Sequence, residues 1–266
     1  MVSAASLVCM TIAGIIAFGL PITLLVYFRK KKDADILPFF IGCGVMLLFA
    51  FVLEQLAHAV ILGSAAGTVI QKTPVLYAVY GGLMAGLFEE TGRFCAFRTV
   101  MKKDQKNADA LMYGAGHGGF EAMLLLGLTS INNIVYSVMI NTGVLDVLMK
   151  NLSGDALVQL QNTEQALLGT PSWQFLLAGA ERISAVILQI ALSVLVWFAV
   201  KKRKAGLYPL AILIHFLVDT GTVLMSQNGV PLVLLEIVVL GMAVLTAFFA
   251  GFIWRKYAGP EKRVQA

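Results

Sequence analysis

The sequence predicts an all-α fold, a polytopic bundle of membrane-spanning helices, on three observations. Apolar residues make up 59% of the 266 and charged residues 13%, where a soluble domain is about a quarter charged. The mean hydropathy is +0.83. Apolar runs of membrane-crossing length recur along the chain, and every second joint between them is rich in Lys and Arg. At about 20 residues per span, a chain of this length holds roughly seven or eight helices. Residues 1–266 therefore read as a single integral-membrane helical domain.

The first run, 3–28, contains Pro21 and stops at Arg29-Lys30-Lys31-Lys32. No basic stretch precedes it and no small-residue cleavage site follows, which predicts an uncleaved first span. The second run covers 36–62. Gly63, Ser64 and Gly67 then turn the chain into the third, 74–100, which opens on Pro74 and is followed by Lys102, Lys103 and Lys106. The fourth, 108–140, is too long for one straight span and predicts a break near Ser130-Ile131-Asn132-Asn133. A half-span beyond that break makes the count eight. Residues 141–172 form the one sizeable polar region and read as amphipathic or loop-like, with Gly154, Gly169 and Pro171. The fifth run, 173–200, ends in Lys201-Lys202-Arg203-Lys204. The sixth covers 207–225, and the seventh, 231–254, closes on Arg255 and Lys256.

Basic clusters thus follow spans one, three, five and seven. The positive-inside rule places the N-terminus outside and the C-terminus in the cytoplasm. The same rule accounts for the net charge of +5 and the pI near 9.1 without a nucleic-acid partner. Cys9, Cys43 and Cys95 lie in apolar runs with no paired spacing and read as small apolar side chains.

One stretch breaks the apolar rule. Phe88-Glu89-Glu90-Thr91-Gly92-Arg93 puts three charges inside the third span, where each costs about 2.5–3.5 kcal/mol at mid-bilayer. Counted from the basic helix ends at about 1.5 Å per residue, Glu89 lies about 14 Å deep, and His117 and His215 about 15 Å. Each has a partner four residues on, on the same helix face: Arg93, Glu121 and Asp219 respectively. Tyr113 lies one turn before His117. Gly114, Gly116, Gly118 and Gly119 surround His117 and destabilise a helix by about 1 kcal/mol each relative to alanine. In return they let other helices, or an extended substrate, come very close.

Histidines and carboxylates at one depth suit two chemistries. They are the usual ligands of a catalytic Zn²⁺ that keeps one position open for water. Without a metal, a desolvated Glu and a His can activate water directly. In either case Arg93 neutralises the second carboxylate. The bland alternative is a buried polar network that fastens helices together.

Glu89-Glu90-x-x-Arg93, Tyr113-x-x-x-His117 and His215-x-x-x-Asp219 together resemble the three motifs of the CPBP/PrsW superfamily of intramembrane proteases. Within it the chain is most similar to the bacterial YhfC-like branch of intramembrane metalloproteases. The motifs cover spans three to six, a catalytic core of about residues 74–225. The Glu90–Arg93 spacing is that of the PrsW branch, one residue shorter than in the CaaX prenyl proteases. The resemblance implies Glu89 or Glu90 as general base, and His117, His215 and Asp219 as metal ligands or oxyanion stabilisers. Glu121 is available as a further ligand. It also implies a membrane-associated protein or a lipidated, hydrophobic peptide as substrate, cleaved in the cytoplasmic half of a bacterial cytoplasmic membrane.

A second polar set, Glu54 and His58 in span two with Glu181 and Arg182 in span five, counts to about 28–35 Å from the cytoplasmic side. It reads as an inter-helix clamp, or as a gate or ligand set if span two is broken. Two rivals use the same residues: an ion- or proton-coupled transporter, and a non-catalytic immunity-type membrane protein. No internal repeat supports the first, and the completeness of the motifs argues against the second.

Overall fold

The computed structural model describes residues 1–104 and 106–259. Its helices, in chain order, are α1 (Ala4–Lys32), α2 (Leu37–Leu62), α3 (Ala65–Lys72), α4 (Pro74–Arg98), α5 (Ala108–Asn141), α6 (Val144–Met149), α7 (Gly154–Gly169), α8 (Ser172–Lys201), α9 (Leu207–Gln227) and α10 (Leu232–Tyr257). There is no strand among the described residues. The all-α, polytopic class is as the composition requires, because a bilayer leaves no water to satisfy an open backbone.

Among the described residues, six helices are long and apolar enough to cross a membrane: α1, α2, α5, α8, α9 and α10. The sequence predicts a seventh span in α4. Its 25 residues suffice in length, reaching about 37 Å, but Glu89, Glu90, Arg93 and its glycines dilute its apolar character. Glu90 and Arg93 are fully buried, so the surroundings of α4 at this level are other helices.

The break expected near residues 130–133 is a π-helical stretch instead, Met123–Leu128, inside an otherwise continuous α5. A second stretch, Leu47–Glu54, interrupts α2. A π turn rotates the side chains beyond it while keeping the backbone hydrogen-bonded, which a true break does not. The polar region 141–172 is also helical, as α6 and α7.

The chain divides into two compact units. The first, Met1–Leu20 with Ala122–Ile183, packs Val2, Met10 and Leu167 against Ile134, Ile140 and Phe175. Its N-terminus is fastened by a reciprocal pair: Val2 N donates to Asn141 Oδ1 at 2.7 Å, and Asn141 Nδ2 donates to Val2 O at 3.0 Å.

The second unit, Pro21–Glu121 with Ser184–Ala266, holds the main core, where Phe97, Trp197 and Phe198 are wholly buried. Two stripes of small residues decide how its helices approach. Along α4, Ala78, Gly82, Gly86 and Glu90 recur every fourth residue and so share one face. A methyl at Gly82 would land on the Thr220 hydroxyl, and one at Gly86 would lie 3.0 Å from Ile212 O. On α5, Gly114 and Gly118 do the same for α8: a Cβ at Gly118 would sit 2.8 Å from Gln189 Cβ. Small residues at such spacing let helix axes close up where lipid supplies no hydrophobic drive. Each stripe delivers a polar residue to the contact.

Candidate active site

The stripe on α4 ends at Glu90, and this register explains its partners. Glu90 faces α9, where His215 Nδ1 lies 2.9 Å from Glu90 Oε1. Arg93, one turn on, donates from one nitrogen to both Glu90 oxygens at 2.7 Å. Both residues are fully buried. The sequence pairs Arg93 with Glu89 by i,i+4 spacing. In the fold Arg93 bonds Glu90 at i+3 instead, because its other amino group is drawn to Gln189 Oε1 on α8. Glu89 still feels the Arg93 charge without a bond to it.

Glu89 points about 100° away from Glu90, towards α5 and α8. Its Oε2 is bonded by His117 Nε2 at 3.1 Å and by Gln189 Nε2 at 2.8 Å. The same Gln189 amide reaches Glu121 Oε2 at 3.3 Å. His117 is fully buried, its ring stacked on Tyr113 with centroids 5.7 Å apart, and its Nδ1 finds no hydrogen-bond partner among the described residues. His215 turns its other nitrogen to Asp219, with Nε2 3.5 Å from Oδ2. The counted depths thus bring Glu89 to His117 and Glu90 to His215, and i,i+4 spacing brings His215 to Asp219.

The two glutamates differ in access. Glu90 has no exposed surface and both oxygens are held by Arg93. Glu89 keeps 6% of its surface exposed, and its Oε1 accepts no hydrogen bond among the described residues. Asp219, with 34% of its side chain exposed, marks the open side.

Two readings of the sequence narrow here, and one residue is added. Of the two neighbours that the glycines around His117 allow, helices take the space: a side chain at Gly114 or Gly118 would strike α8, at Gly116 the Phe39 carbonyl, and at Gly119 Pro21. Of the second polar set, Glu54 is not apart from the first, because it lies within electrostatic range of Glu89, His215 and Asp219. Depth counted along a straight α-helix misplaces Glu54, which closes the π-helical stretch of α2 and is turned inward, with 7% exposure. Glu54 itself pairs with His58, and Glu181 with Arg182 beside it. Gln189 is the site residue that the charge pattern of the sequence does not reveal. As a neutral residue it raises no charge signal, though an amide in the apolar run 173–200 was the available hint.

A model of the YhfC intramembrane metalloprotease family matches residues 16–240. The chain belongs to this family. It is also 41% identical, over 251 residues, to a Bacillus subtilis (strain 168) protein named as the uncharacterized membrane protein YhfC, covering 94% of this chain and 96% of that one. No solved structure matches significantly.

The family name implies a metal ion, and the donor atoms bear on it directly. His117 Nε2 is directed at Glu89, and the two His215 nitrogens at Glu90 and Asp219. Glu121 accepts from Gln189. Among the described residues no group of three or more His, Cys, Asp or Glu side chains is placed to hold an ion. In this arrangement the set His117, Glu121, His215 and Asp219 does not fit a metal, Zn²⁺ included.

Proposed function

We propose that this protein is an intramembrane peptidase, with Glu89 as the general base that activates water against a peptide bond. The observation that supports the reading most is the division of labour between the glutamates. Glu90 is locked into a buried ion pair with Arg93, while Glu89 is oriented by His117 and Gln189 and keeps one oxygen uncommitted. A base must reach the proton it abstracts, and of the two only Glu89 is so placed.

In this reading Glu89 takes a proton from water as the water oxygen bonds the carbonyl carbon. His117, through Nε2, holds the carboxylate in place. His215, held between Glu90 and Asp219, stabilises the charge that develops on the carbonyl oxygen when its Nε2, 3.5 Å from Asp219, turns to the substrate. Such preorganised groups are worth about 2.7–4 kcal/mol each in other hydrolases. The Glu90–Arg93 pair and Gln189 keep the layer rigid. The substrate is a membrane-embedded or lipid-attached polypeptide. The wider CPBP/PrsW resemblance and the basic ends of α1, α4, α8 and α10 support cleavage on the cytoplasmic side of a bacterial membrane.

The test uses purified protein in lipid vesicles with Glu89→Gln, His117→Ala and His215→Ala variants and a panel of fluorophore–quencher peptides, each with one apolar span. Loss of cleavage in all three supports the assignment, and unchanged cleavage in Glu89→Gln refutes it. Elemental analysis of the same samples reads the metal separately: about one ion per chain, lost in both His variants, would restore the metal reading. Ion flux abolished by these changes, with no peptide cut, would make the protein a transporter.

A further inference from the structure

A chain of three proton-bearing side chains leads away from the site just described. His58 Nδ1 lies 2.7 Å from the Tyr80 hydroxyl, and His58 Nε2 lies 3.3 Å from Glu54 Oε1. Both contacts follow from the sequence: Glu54 and His58 are i,i+4 on α2, and α4 brings Tyr80 against them with the rings 5.3 Å apart. A neutral imidazole donates from one nitrogen and accepts at the other, so this geometry joins phenol to carboxylate through a single ring.

Burial falls from one end of the chain to the other. Glu54 is buried, at 7% exposure, and interacts with Glu89, His215 and Asp219. The His58 side chain is 22% exposed, and Tyr80 is half-buried. One turn from Tyr80 on α4, Tyr77 lines a cleft of about 540 Å³ with Pro74, Val75 and Leu224 as well as Gln71, Gln227 and Asn228. The series thus runs from a half-buried phenol to a buried carboxylate that lies within electrostatic range of the candidate base. A clamp needs no such difference in burial.

On the peptidase reading above, we propose that Glu54 is a further catalytic carboxylate, which protonates the leaving amine, and that His58 and Tyr80 are positioning residues that resupply its proton. The atoms balance in one turnover. Water gives a proton to Glu89 as its oxygen bonds the carbonyl carbon. When the C–N bond breaks, its electron pair goes to nitrogen, which takes a proton from Glu54. Glu54 regains one from His58, His58 from Tyr80, and Tyr80 from water at its half-exposed side. Glu89 then releases the proton it took. One proton enters by one carboxyl and one leaves by the other, so the base need not serve as the acid.

The test uses full-length protein in vesicles with the apolar-span fluorogenic peptides. Glu54→Gln should lower kcat about 10²- to 10⁴-fold, the range of a lost general acid, with KM within about two-fold. His58→Ala should lower kcat less, and added imidazole should restore it, which a purely structural role would not allow. Tyr80→Phe should reduce kcat and its solvent isotope effect together. Glu54→Gln with wild-type kcat, while Glu89→Gln is inactive, overturns this inference and leaves the peptidase reading standing. Full activity in Glu89→Gln overturns the assignment of Glu89 as the base, and no cleavage of any peptide by the wild type overturns the peptidase reading itself. A second arm needs no cleavage. Infrared spectra at pH 7 should show a protonated-carboxyl stretch that disappears in Glu54→Gln and shifts in His58→Ala. Identical spectra in the wild type and Glu54→Gln overturn the proposal even if no peptide is cut.

Discussion

Replacing Arg93 should reveal how much of this fold hangs on one buried ion pair. Its side chain has no exposed surface, makes two 2.7 Å bonds to Glu90 and binds Gln189 as well. Removing one partner of a buried pair typically costs about 3–5 kcal/mol, because the other charge is left without compensation. Here the His215 bond to Glu90 offsets part of that loss. Arg93→Met, similar in volume, is therefore expected to destabilise by about 3 kcal/mol, roughly a hundred-fold in the folded-to-unfolded ratio. Glu90→Gln should cost a similar amount, since it strands Arg93. In the double variant both charges are gone, so its loss should be close to that of one single variant. The coupling energy is then about 2–3 kcal/mol, well above the scatter for independent sites. Reversible unfolding in mixed micelles, followed by circular dichroism against the mole fraction of SDS, measures all three. Strictly additive losses, or an Arg93→Met loss below about 1 kcal/mol, would refute the reasoning and leave the pair a bystander.

Other outcomes follow from the same structure. Glu89→Gln should lower kcat about 10²- to 10⁴-fold while the melting temperature in detergent stays within a few degrees; equal losses in Glu89→Gln and Glu90→Gln without unfolding would erase the distinction between them. Gly118→Val should destabilise by about 1–3 kcal/mol through overpacking, because even its Cβ would sit 2.8 Å from Gln189 Cβ. Gly241→Ala, whose Cβ meets nothing within 4 Å, should be neutral or mildly stabilising by the helix propensity of alanine; a reversed order in thermal melts contradicts the close-approach reading. At the surface, Lys106 binds Asp35 at 2.9 Å and also meets Asp33, and these bonds raise its pKa above the ordinary 10.5. A raised folded-state pKa means the latch contributes below about pH 10.5 and fades as pH climbs through the folded value. Hydrogen exchange at residues 33–36 should accelerate in that alkaline window in the wild type and show no such step in Lys106→Met.

Much of the protein was legible in the chain because bilayer chemistry is blunt. Charges at 13% and long apolar runs force an all-α membrane protein, since only helices satisfy their own backbone in lipid at this composition. The charges that remain in the interior single themselves out by expense. Glu89, Glu90, Arg93, His117, His215 and Asp219 were found that way, and depth counting grouped them because a rigid rise per residue holds over one straight helix.

Tertiary structure decided what a one-dimensional count cannot. Which glutamate meets Arg93 turned on Gln189 reaching across from α8, a neutral side chain with no charge to betray it. Glu54, at the end of a π-helical stretch of α2, comes within electrostatic range of Glu89, and hydrophobic patterning does not register such a change of hydrogen-bond spacing. The glycines announced a close approach, but only packing showed that helices, not a substrate, fill the space. Helical spacing is a property of each segment alone. Which face meets which neighbour is fixed when several helices compete for the same small residues.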